Sequence, residues 1–197
     1  LKLEEKLGDQ KRIADLFDQL GKVYYYQEIF PNSLEYHQQA YQIYLQLDDT
    51  AGMAKALRHI GDIHTAREYC EKRTSLEIKT DQDTAMVYYC RSLKYYELLK
   101  DQEGIVHQWL TIGNLYRRME KSEMSLPYFQ NAMDYYQRTN NEKQIAQTLR
   151  GLALAYNRLQ RYKEALDCLI KTKEIALRLN NTGGIQYVYE DIAQTYE

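Results

Sequence analysis

The chain has 197 residues, 44% apolar and 27% charged, with 26 Lys and Arg against 28 Asp and Glu for a formal charge of −2, the balance of a globular protein. Its longest apolar run, Ala85 to Cys90, is six residues, where a membrane span needs roughly 18–20. Near-neutral charge argues against nucleic-acid binding by bulk electrostatics, so neither a membrane nor a nucleic acid is an expected partner. The 9 Gly and 2 Pro are about half the usual share of roughly 12%, which makes long helices the default. Three cysteines without CxxC spacing, Cys70, Cys90 and Cys168, read as reduced thiols and favour a cytoplasmic compartment. The chain opens on Leu1 with no secretion-signal pattern and reads as a piece of a longer array.

Small residues recur at Gly21, Gly61, Gly113, Ala153 and Ala193, spaced 40, 52, 40 and 40, with Tyr or His three residues after each. The same step carries Asp9, Asp49, Asp101, Asn141 and Asn181, residue types that cap helix N-termini. A second set of small residues, Ser33, Ala85, Ser125 and Ala165, is followed seven residues on by Ala40, Ser92, Ala132 and Thr172. Apolar positions between these marks follow a 3.6 period, so each unit reads as two amphipathic helices, A and B. In chain order, residues 1–7 read as the end of a preceding helix B. Repeat 1 spans 8–47, with A at about 10–26 and B at about 32–47. Repeat 2 spans 48–100, with A at about 50–66 and B at about 82–99, and is 12 residues too long. Repeat 3 covers 101–140 (A about 102–118, B about 122–138) and repeat 4 covers 141–180 (A about 142–158, B about 162–179). Residues 181–197 supply helix A of a fifth repeat. The insertion lies in 65–84, a stretch with nine charges and no Gly or Pro. It predicts two lengthened helices, each longer by roughly 9 Å.

Trp109, Leu110, Gly113 and Tyr116, then Ser125, Phe129 and Ala132, resemble the tetratricopeptide repeat in a 40-residue form. Arg150, Leu152, Ala153, Tyr156, Tyr162, Ala165 and Leu169 repeat the pattern. The resemblance implies an all-α fold, a right-handed α-α superhelix (solenoid) of about four helix-turn-helix repeats with partial ends. It also implies a concave groove lined by A helices. Carried over position by position, the groove residues would be Asp15, Asp18, Lys22 and Tyr25, then Lys55, Arg58, Asp62 and Thr65. His107, Leu110, Asn114 and Arg117 would follow, then Gln147, Arg150, Leu154 and Asn157, and last Tyr187, Glu190, Gln194 and Glu197, with Arg118 and Arg158 one step beyond. The middle of this groove is basic and its ends acidic. Lys55, Arg58, Asp62, His107, Asn114, Arg117, Arg118, Gln147, Arg150, Asn157 and Arg158 are the candidate binding residues, and a protein or peptide segment carrying acidic groups is the expected partner. The Lys/Asn–Asn–Lys/Arg clamp by which some family members hold chaperone tails is missing, since its positions hold Asp15, Gln19, His59, His107 and Thr111.

His59 and His64 are five apart, off the spacing that puts two ligands on one helix face, and no Cys or carboxylate completes a metal-binding pattern. No phosphate loop, nucleophile elbow or HExxH is present. Neither metal, cofactor nor catalysis is expected. The function that fits is an interaction module. The alternative is the sensory or regulatory part of a larger signalling protein, because 40-residue Tyr-rich repeats resemble those of sensor kinases, transcription regulators and peptide receptors.

Overall fold

The computed structural model describes residues 2–70 and 73–196, with side chains within 8–70 and 73–195. The described residues form nine α-helices and no strand: α1 Lys2–Tyr26, α2 Phe30–Gln46, α3 Thr50–Ala66, α4 Ser75–Leu99, α5 Gln102–Arg118, α6 Ser122–Arg138, α7 Glu142–Arg158, α8 Tyr162–Arg178 and α9 Thr182–Tyr196. None of these helices is long and apolar enough to cross a membrane. Where the sequence reads as one continuous solenoid, the helices gather into two compact units that divide within α5, Leu1–Gln108 and Trp109–Glu197. Each unit closes a core of its own. Ala14, Ala40, Tyr44, Met53 and Ala56 pack together in the first, and Leu126, Phe129, Met133, Leu149, Leu152 and Ile175 in the second.

The small residues sit where helices A and B approach. Ser33, Ala40, Ala85, Ser92, Ser125, Ala132, Ala165 and Thr172 are all buried. Gly61 lies so close to the Tyr89 ring that a Cβ there would stand 2.5 Å from it. Any larger residue would push α3 away from α4.

Helix ends are set by one recurrent turn. Glu28, Asp48, Lys100, Glu120, Asn140, Gln160 and Asn180 have φ between 51° and 61°, a left-handed conformation that disfavours residues with a Cβ. The next residue donates its N–H to the carbonyl five positions back: Ile29 to Tyr24, Asp49 to Tyr44, Asp101 to Tyr96, Lys121 to Tyr116, Asn141 to Tyr136, Arg161 to Tyr156 and Asn181 to Ala176, all at 2.9–3.0 Å. This is the Schellman closure, which satisfies carbonyls orphaned at a helix end. The following A helix is then capped in four cases. The Asp49, Asp101, Asn141 and Asn181 side chains accept from the backbone N–H of Gly52 (2.9 Å), Gly104 (3.0 Å), Gln144 (3.3 Å) and Gly184 (3.0 Å). Asp9 is the exception, because α1 runs unbroken from Lys2 and places it inside the helix. The boundary expected after residue 7, between a preceding helix B and the first helix A, is therefore absent from the backbone.

The insertion also departs from expectation. α3 keeps 17 residues and only α4 is lengthened, to 25. It starts at Ser75 rather than near 82, which adds about 10 Å at its N-terminus. The rest of the insertion lies in the connection, which opens with a 3-10 turn at Arg67–Tyr69. Thr74 stops any fusion of the two helices. Its hydroxyl accepts from the Glu77 N–H at 3.2 Å, while the Glu77 carboxylate accepts from the Thr74 N–H at 2.8 Å, a reciprocal capping box. The connection is tied down by Asp81 on α4, 5% exposed, which pairs with His64 Nδ1 at 2.8 Å, Arg67 at 3.3 Å and Arg73.

Replacing Asp81 with Ala leaves His64 without its hydrogen-bond acceptor and two guanidiniums without their counter-charge, and should lower the unfolding free energy by about 3 kcal/mol. Thr74→Ala should lower it by about 1 kcal/mol. Urea denaturation checks both, and equal losses would contradict the dominance of the Asp81 cluster. Glu120→Gly relieves a left-handed residue and should stabilise by about 0.5–1 kcal/mol in the same assay.

Candidate functional site

Three helices of the first unit meet at one carboxylate. Asp18 of α1 is 5% exposed, His37 of α2 1% and His59 of α3 8%. Asp18 Oδ1 accepts from His37 Nδ1 at 3.0 Å and from His59 Nδ1 at 2.8 Å, while Lys22 Nζ lies 2.7 Å from Asp18 Oδ2. The far nitrogen of His59, Nε2, accepts from Arg58 at 2.8 Å, and Arg58 also faces Asp62 at 3.5 Å. His37 reaches this point because Gly21 has no side chain: a Cβ there would stand 2.6 Å from the imidazole. Burial raises the Asp18 carboxyl, but the hydrogen bonds from His37, His59 and Lys22 outweigh it and hold the group well below the usual carboxylate range. Burial pushes the His59 imidazole down, and Arg58 adds to this against the pull of Asp18. His59 is thus neutral at pH 7, with its proton on Nδ1. Above the cluster opens a cavity of about 250 Å³, lined by Lys22, Tyr25, Tyr26, His37, Arg58, His59 and Asp62.

A second cavity, of about 340 Å³, lies within the other unit among α7, α8 and α9. Lys143, Gln147, Arg150 and Tyr187 form its polar wall, and Ala176, Leu179 and Val188 are among its apolar lining. Arg150 is oriented by Asp191, 5% exposed, to which it donates from Nε and, at 3.2 Å, from Nη2. Its guanidinium lies 5.1 Å from the centre of the Tyr187 ring, a cation–π contact. Nearby, Asn157 donates from Nδ2 to Thr195 at 2.8 Å.

Of the candidate binding residues, Arg58 and Asp62 share the first cavity and Gln147 and Arg150 the second. The others line neither. Lys55, His107, Asn114 and Arg158 are exposed, and Arg117, Arg118 and Asn157 are half-buried. Two of the expected groove cations already hold internal carboxylates, Arg58 with Asp62 and Arg150 with Asp191.

No metal-type donor set shows in the sequence spacing, whereas the structure brings one carboxylate and two imidazoles together. It places Asp18, His37 and His59 within 4.8 Å of one another by their donor atoms. The residues are 19 and 22 positions apart on three helices, so no local spacing could reveal them. One signal was available. His37 falls in the repeat position that holds Tyr89, Phe129 and Leu169 in the later units, all fully buried, and a histidine in a core position requires a polar partner.

The tetratricopeptide repeat family profile matches residues 106–178. These residues are tetratricopeptide repeats. A comparison with curated proteins finds no match. Among solved structures, the chain is similar in fold to aspartyl phosphate phosphatase F from Bacillus subtilis (TM-score 0.77, 16% identity, 91% of this chain and 44% of that one). It is likewise similar to a Rap protein complexed with competence and sporulation factor (TM-score 0.75, 18% identity, 94% and 49%). A third is the signal transduction ATPase with numerous domains from Pyrococcus horikoshii, which has a tetratricopeptide repeat sensor (TM-score 0.77, 17% identity, 95% and 27%). The chain spans about half or less of the length of each of these proteins. At such identities the likeness establishes the fold, the all-α helical-repeat solenoid class.

The Arg150–Asp191 pair is asymmetric, because Asp191 is buried and Arg150 is more than a third exposed. Arg150→Ala should therefore cost about 2–3 kcal/mol by leaving a buried carboxylate unpaired, and Asp191→Ala less. A double-mutant cycle read by denaturation should give a coupling above about 1 kcal/mol. Additive losses would show that the pair contributes nothing.

Proposed function

We propose that these tetratricopeptide repeats form a protein–peptide recognition module, and that the α7–α9 cavity takes an acidic side chain or a carboxylate of an extended partner segment. The observation that carries this reading is the wall of Lys143, Gln147, Arg150 and Tyr187 around one cavity. Asp191 uses two of the five guanidinium donors of Arg150 and fixes its plane, which leaves the others for a ligand carboxylate. Lys143 adds an exposed cation, and the Gln147 amide can satisfy both an N–H and a C=O of a peptide backbone. The Rap neighbour complexed with competence and sporulation factor supports a partner of this kind for the fold. A second reading, a sensory region within a larger signalling protein, is favoured by the neighbour with a tetratricopeptide repeat sensor. The two readings are compatible, since a sensor also works by binding.

Selection of peptides from a random display library on the full chain tests the proposal. Recovered peptides should be enriched in Asp and Glu. They should bind a Lys143→Glu/Gln147→Ala variant at least tenfold more weakly, about 1.4 kcal/mol. Both substituted residues are exposed, so the fold should be unaffected. Peptides without acidic bias, or equal affinity for the variant, would overturn the assignment.

A further inference from the structure

We propose that Asp18, His37 and His59 bind a divalent first-row transition metal of the zinc class. The site is independent of the α7–α9 cavity and of the peptide it is proposed to hold. Two imidazole nitrogens and one carboxylate oxygen make a donor set suited to zinc, cobalt or iron(II), and unlike the all-oxygen shells of calcium and magnesium. The spacing is close to what such an ion requires. Bonds of about 2.0–2.1 Å in tetrahedral geometry place neighbouring donors roughly 3.3 Å apart. His37 Nδ1 and His59 Nδ1 stand 3.0 and 2.8 Å from the same Asp18 oxygen. Metal binding requires these contacts to open by a few tenths of an ångström and the histidine pair, now within 4.8 Å, to close.

Each donor is held from outside the set. Gly21 sets the approach of His37, Lys22 binds the Asp18 oxygen that faces away from the imidazoles, and Arg58 contacts the far nitrogen of His59. Three protein donors leave one coordination position, and both histidines line the cavity above them. That cavity is the entry path and the place for a water or a fourth ligand.

The two cations set the strength of the site. When Nδ1 of His59 binds the ion, its proton moves to Nε2, which can no longer accept from Arg58. Arg58 then turns to Asp62, already 3.5 Å away. Lys22 opposes the ion through their shared carboxylate, and with a third of its side chain exposed it can swing into solvent. Removing Lys22 therefore tightens metal binding, a sign that neither a structural defect nor an adventitious surface site would produce.

Titration of the full chain with Co2+ and, separately, Zn2+ tests the proposal. Wild type should take up one equivalent of Co2+ with the visible absorption of a four-coordinate ion, and Zn2+ should displace it. Asp18→Asn and His59→Gln should each weaken binding at least tenfold. His64→Gln and Cys70→Ser should leave it unchanged, and Lys22→Met should strengthen it several-fold. Circular dichroism confirms folding of each variant, and the Lys22→Met gain decides the matter if Asp18→Asn does not fold. No cobalt spectrum with wild type, loss of binding in His64→Gln or Cys70→Ser, or no gain in Lys22→Met would overturn the proposal.

Discussion

A single left-handed residue after the helix is the constraint on which most of this structure depends. Seven of the helix ends close on such a residue, and none of the seven is glycine. Six of the seven carbonyls that receive the closing N–H belong to tyrosines. The turn therefore fixes both where a helix stops and which way its last side chains point, with the tyrosine ring on the helix that is ending. From Glu120 to Asn180 the closures recur every 20 residues, half of the 40-residue repeat. Helices of one length joined by one turn keep one phase, which is why small residues land at every A–B contact. Among the described residues of the α3–α4 connection there is no such closure, and there the chain relies on Asp81 and the Thr74 cap.

Three buried aspartates make further ties between helices. Asp18, Asp81 and Asp191 are each 5% exposed, and each is met by cations or histidines from another part of the chain. Asp18 meets His59 across 41 residues, and Arg150 meets Asp191 across the same interval. Positions 18 and 150 are equivalent in the repeat, three units and one insertion apart, as are 59 and 191. The same crossing between successive A helices thus carries an acid-to-histidine tie in the first unit and a base-to-acid tie in the second. A repeat architecture reuses the geometry of a contact while leaving its chemistry free to vary.

This division explains what could be read from one sequence. Helix phase was legible because glycine, tyrosine and cap residues repeat in register, and the register survives a 12-residue insertion. The route of the insertion was not. A segment without Gly or Pro suggests that both flanking helices lengthen, but a Thr–Glu capping box and three basic or imidazole partners for one aspartate give all of the added helix to α4, and only Thr74 and Glu77 are close enough in sequence to be seen as a pair. Groove residues were placed on the A helices by position alone, which could not show that Arg58 and Arg150 already hold carboxylates. Asp9 stands in register with four true caps yet lies within α1, because a cap requires a turn before it and α1 has none there.

The histidine cluster marks the limit of such reading most clearly. His37 occupies a position that three other repeats fill with a large apolar or aromatic side chain, so its cost there must be met by a polar partner. Asp18 could satisfy one imidazole alone. Instead it receives two imidazole hydrogen bonds and a lysine, in a unit whose aromatic residues could have filled the same volume. An apolar replacement of a buried ionic group is often neutral or stabilising, so stability alone is a weak reason for such a cluster, and its opening onto a polar cavity is the feature that sets it apart from the Asp81 tie.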